Sequence, residues 1–288
     1  MRELRAMASK QRLLIDFSGD SDQAIGLLYA LQWPKVQVSG IIVSDAEPQR
    51  GIQLARKCIE HVRPSEEIPV MIGTQQQLFC GEADRAADSV MTSEAVTFLT
   101  ELVPDPDNPL TLVTLGRVTT VAKAIARKPE WLQAVQRIVV RGGAIRVPGD
   151  VTAIAEANLH ADPEAAAFVL AAKGPLLFVP LDATESLGVT DEQAALLAKT
   201  VRGTTATGKA GTVKSVLGAM IAAVAPEHIE TERLKLSIDC HSPLSRGALV
   251  ADLRAKPSAG TDADVCMAIQ SEAIKTWVRQ LTEGEDRA

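Results

Sequence analysis

Aromatic rings are scarce in this chain. Only 3% of its 288 residues are aromatic: three Trp, five Phe and one Tyr. Single-stranded nucleic acid is gripped by stacking on such rings, and duplexes are gripped by basic faces. The formal net charge here is −6 and no basic block occurs, so nucleic acid is excluded as a partner class. No apolar run approaches the roughly 18 residues that a membrane-spanning helix needs, so no membrane is expected either. The opening MRELRAMASKQR has no apolar core of signal-peptide length. It reads as a short tail, residues 1–12, and a cytoplasmic location is expected. The four cysteines, Cys58, Cys80, Cys240 and Cys266, are far apart and form no CxxC pair. That argues against a zinc ribbon or a dithiol redox site and for reduced thiols.

What is present is a core. Hydrophobic residues make up 46% of the chain, and residues 13–288 read as one α/β domain with no repeat and no internal boundary. Short apolar runs at Leu13–Ile15, Val36–Val43, Pro69–Gly73, Leu110–Leu115, Arg137–Val140 and Leu176–Pro180 read as buried strands. Amphipathic stretches alternate with them, which predicts a largely parallel sheet flanked by helices. Helices are expected from Ala24, over Arg50–Val62, Ser93–Leu102, Val121–Arg127 and Val216–Val224, and to close the chain at Glu272–Leu281. Residues 79–92 and 202–213 read as loops, and Leu236–Cys240, Leu249–Asp252 and Val265–Ala268 as the last strands. The first strand ends in DFSGDSDQ, which delivers Asp16, Asp20 and Asp22 to the carboxyl end of a strand just before a helix. In an open α/β sheet that is where ligands bind.

The stretch from Asp16 to Ala24 resembles the opening of the inosine-uridine nucleoside hydrolases, whose usual text is close to DTDPGIDDA. Asp16, Asp22 and Ala24 match. Ser18, Gly19, Asp20 and Gln23 do not. A second match is more specific. GDVTAIAEANLHADPEAA, from Gly149 to Ala166, resembles the family's GNxTPxAEFNIxxDPEAA. Further likenesses run from Leu13 to Leu281, including the Gly116–Thr120 turn and the Leu181–Thr184 turn. The resemblance implies a calcium ion in the first loop, a water that attacks a ribose, and an oligomer such as a dimer or tetramer, although no stretch reads as an interface. Its calcium carboxylates would fall at Ser18, Gln23 and Leu217 or Gly218, none of which is acidic. No family-type metal site and no cofactor is therefore expected; the alternative is a site rebuilt in another register from Asp16, Asp20 and Asp22, which share one loop.

The remaining chemistry is read as follows. Glu156 and Asn158 match the family's ribose-binding pair; an acceptor and an amide two apart face the same way on an extended segment and suit a vicinal diol. Asp150 stands where the family has a ribose-contacting Asn. Asp162 followed by Pro163 reads as a helix start. Asp22, or else Asp20, is the expected general base for water, and Asp16 a ligand-binding or loop-organising carboxylate. Arg141 and Arg117 lie at strand ends where the family has other residues. With calcium gone, their guanidiniums would supply positive charge to the carboxylates or clamp an anion. His160, two after Asn158, and His241 are candidate acids for a leaving base. The expected function is hydrolysis of an N-ribosidic bond in a small ribosyl ligand. The alternatives are a silent relative that binds a ribosyl ligand or serves as a partner subunit, and a different reaction on a ribosyl or phosphoribosyl compound.

Overall fold

A computed structural model of the chain describes residues 10–78, 92–200, 210–270, and 272, 274, 275, 277 and 278. Nine strands among them form one sheet in the order β3-β2-β1-β4-β5-β6-β9-β7-β8. They are β1 (Gln11–Phe17), β2 (Val36–Val43), β3 (Val70–Ile72), β4 (Leu110–Thr114), β5 (Val135–Arg141), β6 (Leu176–Val179), β7 (Ile229–Ile238), β8 (Leu249–Ala251) and β9 (Thr261–Ile269). All neighbours from β3 to β9 in that order pair in parallel. Only β7 breaks the direction, antiparallel to both β9 and β8.

Central strands buried on both faces are mostly apolar, which is why β1 and β4 read as apolar runs; their buried polar members are Asp16, Thr111 and Thr114. Helices α1 (Ser21–Gln32), α2 (Pro48–Val62), α7 (Asp191–Thr200) and α8 (Ala210–Val224) cover one face. Helices α3 (Glu94–Glu101), α4 (Thr119–Arg127) and α6 (Pro163–Ala171) cover the other. A short helix, α5 (Ala157–Ala161), precedes α6. The period of two sorts side chains between these layers. Leu13, Ile15 and Phe17 join the α1/α8 core, while Leu14 joins the α3/α4 core.

The connection from β1 runs outward to β2 and β3, and the chain then returns to place β4 on the other side of β1. The strand order thus reverses between β1 and β4. Chain connections leave on opposite sides there, and the gap between them is the expected ligand crevice. Asp16 lies on the last rungs of β1, level with Ile42 and Thr114.

Several boundaries differ from expectation. β1 begins at Gln11, two residues before the expected start at 13. Asp16 is inside that strand, and Arg141 is the last residue of β5 rather than the first of a loop. Helix α1 starts at Ser21, so Asp22 and Gln23 stand on its first turn. Asp20, with an extended backbone (φ −75°, ψ 142°), stands at the N-cap without a side-chain cap hydrogen bond; its Oδ2 accepts from Ser18 Oγ instead. Gly19 makes the bend before it at φ +80°, where a Cβ would be strained and would also meet the Gly51 backbone. Helix α8 begins at Ala210, so residues 210–213 are helical rather than loop; the rest of that expected loop lies outside the described residues, as does nearly all of the one at 79–92. Of the closing helix only residues 272, 274, 275, 277 and 278 are described, and they are helical.

Asp162 does start α6. Its carboxylate accepts from Ala165 N at 3.2 Å, from Leu78 N at 2.7 Å and from Thr119 Oγ1 at 2.6 Å. One buried side chain therefore ties α6 to α4 and to the segment after β3. Asp162→Ala is expected to lower stability by about 2–3 kcal/mol, since it removes a cap and strands two further buried donors. Urea unfolding of the variant checks it.

Candidate active site

Four strand ends build the crevice. From β1 comes Asp16, 1% exposed, and among the described residues neither carboxylate oxygen has a hydrogen-bond partner of normal geometry. Burial pushes its pKa up to about 7, tempered by the nearby Ser44 hydroxyl and the Arg117 charge. From β2 comes Ser44, which shares a 2.8 Å hydrogen bond with Thr120 on α4. Thr120 also accepts from Thr74 N and pairs with the Thr74 hydroxyl. After β4, Arg117 donates to Gln75 O at 2.7 Å, and its buried Nε has no partner.

From β5 comes Arg141, 3% exposed. Val139 faces α8, so Arg141, two residues on, faces the same way and meets Ser215 of that helix. Its Nε donates to Ser215 Oγ at 2.8 Å, its Nη1 to Leu115 O at 2.6 Å, and its Nη2 lies 3.9 Å from Glu156 Oε1. Glu156 is fully buried. Its Oε2 accepts from Gly143 N, Asn158 N and Leu159 N, while Oε1 has no hydrogen-bond partner. Burial raises the Glu156 pKa, and the Arg141 charge and the Asn158 amide pull it back. Asn158 Nδ2 donates to Leu115 O at 3.0 Å and to Arg141 O at 2.9 Å. The outer wall holds exposed Asp150, which accepts from Ala157 N.

These contacts overturn part of the local reading. Glu156 is the N-cap of α5, and Asn158 and His160 are on that helix, not on an extended segment. Two residues along a helix diverge by about 200°, so the same-face argument fails for Asn158 and His160; Glu156 instead turns its carboxylate back onto the helix amides. A Glu that caps with its own carboxylate at Asn158 N and Leu159 N turned the chain helical here. Arg141 is no anion clamp, because all three of its nitrogens face protein oxygens and the group is sealed from solvent. Arg117 is half-buried and its Nη2 holds a backbone carbonyl. His241 is exposed in the turn after β7, with its N–H on Asp239. Ser215, the Leu115 carbonyl and the Ser44–Thr74–Thr120 hydroxyl cluster went unread, since only tertiary packing gathers them.

The β1–α1 loop closes on itself. Gln23 Oε1 accepts from Ser18 N at 2.9 Å, Gln23 Nε2 donates to Ser18 Oγ at 2.8 Å, and Ser18 Oγ donates to Asp20 Oδ2 at 2.7 Å. Leu217 is buried in the apolar core. Calcium takes six to eight oxygens, mostly carboxylate. Of the positions concerned, two offer a neutral amide and a hydroxyl already engaged with each other, and the third offers no side-chain oxygen. That donor set does not fit calcium. Among the described residues no group of three or more His, Cys, Asp and Glu is placed to hold a metal ion.

The inosine-uridine preferring nucleoside hydrolase family model matches residues 13–276. The chain belongs to that family. Probable uridine nucleosidase 1 of Oryza sativa subsp. japonica is 30% identical over 203 residues, 64% of this chain and 62% of that protein. The pyrimidine-specific ribonucleoside hydrolase RihB of an Escherichia coli strain is 28% identical over 61% of each chain. The matched segment thus spans about three-fifths of these relatives. Among solved structures, an inosine-guanosine nucleoside hydrolase superposes with a TM-score of 0.76 at 22% identity, covering 95% of this chain and 99% of that one. The inosine-uridine preferring nucleoside hydrolase from Bacillus anthracis gives 0.72 at 18% identity, over 95% and 99%. The nucleoside hydrolase fold is therefore common to all of them. No helix among the described residues is long and apolar enough to cross a membrane.

Proposed function

We propose that this nucleoside hydrolase family member hydrolyses the N-ribosidic bond of a small ribosyl ligand without a family-type calcium ion. The observation that carries the reading is the set of buried carboxylate oxygens without donors, Asp16 Oδ1 and Oδ2 and Glu156 Oε1. Buried acceptors without donors are destabilising, and the hydroxyls of a ribose are donors. Asp16, Glu156 and Asn158 would bind the sugar, with Asp150 at the rim. Asp22, half-buried on the first turn of α1, or else Asp20, would take a proton from water. The hydroxyl oxygen would then bond to the anomeric carbon as the bond to the base nitrogen breaks through an oxocarbenium-like state. The departing nitrogen needs a proton, for which half-buried His160 on α5 is the nearer candidate by sequence. A cytoplasmic setting and a homo-oligomer remain part of this proposal.

Ribose release from a nucleoside panel tests it, with calcium and with EDTA. Release is expected to survive EDTA, and Asp22→Asn is expected to lower kcat by about a hundredfold, the scale of a lost general base. Release that requires calcium would overturn the metal-free reading. One observation favours a second function, a ribosyl binder without turnover: Asn158 has both amide hydrogens on main-chain carbonyls and Glu156 is sealed. Ribose binding without release would establish it.

A further inference from the structure

We propose that the guanidinium of Arg141 is a resident cation, lodged where this family's fold otherwise accommodates calcium, and that it positions Glu156. The inference rests on the metal-free reading above. Its basis is an oxygen cage of three kinds of group: the Ser215 hydroxyl, the Leu115 carbonyl and the Glu156 carboxylate, each met by a different nitrogen of one side chain. A guanidinium keeps its charge at every accessible pH and holds five donors in a rigid plane. It can thus fix oxygens in the way a bound cation does, without being lost to a chelator.

Location supports the same assignment. Gly116, next to Leu115, lies against Ser18, and Gly26 of α1 packs on both Leu115 and Val216. Leu115 and Ser215 thus flank the first turns of α1, where Gln23 stands, and Ser215 is two residues before Leu217 on α8. The guanidinium that bonds to both is held among the same elements that carry the three neutral replacements. Charge agrees. Where Ser18, Gln23 and Leu217 or Gly218 supply no negative charge, a divalent ion has no counterpart, and one fixed positive charge faces one carboxylate. Arg141 reaches a ligand only through Glu156, so it is a positioning residue.

Calcium titration calorimetry on re-acidified variants tests this directly. Ser18→Asp/Gln23→Asp is compared with the same pair carrying Arg141→Met in addition. Removing the resident charge is expected to tighten calcium binding by at least about tenfold, since a neighbouring positive charge repels the ion by more than that even in a polar surrounding. Equal affinities with and without Arg141, or no calcium binding in either variant, would overturn the proposal. So would a rise in the melting temperature of the unaltered protein on adding calcium. If Arg141→Met prevents folding, the comparison is made in an Arg141→Met/Glu156→Gln background, where the buried carboxylate that faces Arg141 is gone as well. These readouts do not involve turnover. Failure of the unaltered protein to release ribose would sink the hydrolase reading and leave this comparison standing.

Discussion

Arg141→Met alone should lower stability by roughly 3–5 kcal/mol at pH 8, the usual cost of removing one partner from a buried ion pair. The Glu156 carboxylate would be left fully buried with no cation near it. The loss depends on pH in a defined direction. Glu156 is already held above its ordinary value by burial, and Arg141 is the first of the influences that lower it. Without the guanidinium the folded-state value climbs further, while the unfolded value stays near 4.5. The folded variant then holds a proton that the unfolded chain has released, so stability falls as pH rises above that unfolded value. At pH 5 the deficit should be small. Adding Glu156→Gln should recover most of the stability at pH 8, because an amide needs no counter-ion. Urea unfolding at pH 5 and pH 8 reads all three variants. An Arg141→Met protein within about 1 kcal/mol of the parent at pH 8 would contradict the buried pair, given that range for a broken one.

Asp16→Asn should act in the opposite sense and stabilise the protein above neutral pH. Burial lifts the Asp16 carboxyl from 3.8 to about 7, which corresponds to about 4 kcal/mol against its ionised form. Between those two values the folded state keeps a proton that the unfolded state has lost. Stability therefore declines as pH rises from about 4 to about 7, and the full cost is present beyond that. An amide has no such proton, so the variant should show a flatter profile and a gain of about 3–4 kcal/mol at pH 8. The gain should come with weaker ribose binding, since a ligand-facing carboxylate is kept at the expense of stability. A steep pH slope that persists in Asp16→Asn would mean that another group is responsible.

The two variants separate two kinds of buried carboxylate. Glu156 has three main-chain donors and a guanidinium; Asp16 has the Arg117 charge and a Ser44 hydroxyl that is also engaged with Thr120. The first is anchored through Oε2 and leaves Oε1 without a hydrogen-bond partner. The second is open on both oxygens, which suits a ligand better than a fold.

Much of the architecture was legible in the order of residues. Largely apolar runs marked β1, β2 and β4 because parallel strands covered on both faces are mostly apolar. Asp162-Pro163 marked the start of α6, because a short acceptor before a residue without an N–H is a local matter of hydrogen bonding. The family was legible from Glu156, Asn158 and the DPEAA run. Local rules failed where one side chain changed the backbone's choice. Glu156 capped α5 at the Asn158 and Leu159 amides, and α1 began at Ser21, three residues before the apolar pattern did.

By itself, then, the sequence determined the parallel α/β plan, the family, the carboxylates at the first strand end and the absence of acids at three positions. Each of these depends on residue type and short spacing. What only the tertiary structure decided is where the charges go. Arg141 and Ser215 are 74 residues apart, and Arg141 and Leu115 are 26 apart. They meet because a period-two strand aims Arg141 at α8 and because β5 pairs in parallel with β4, which ends just before Leu115. Partners chosen by packing across that distance leave no trace in local pattern, and so an arginine that read either as a counter-charge to the carboxylates or as an anion clamp is a buried cation inside the fold.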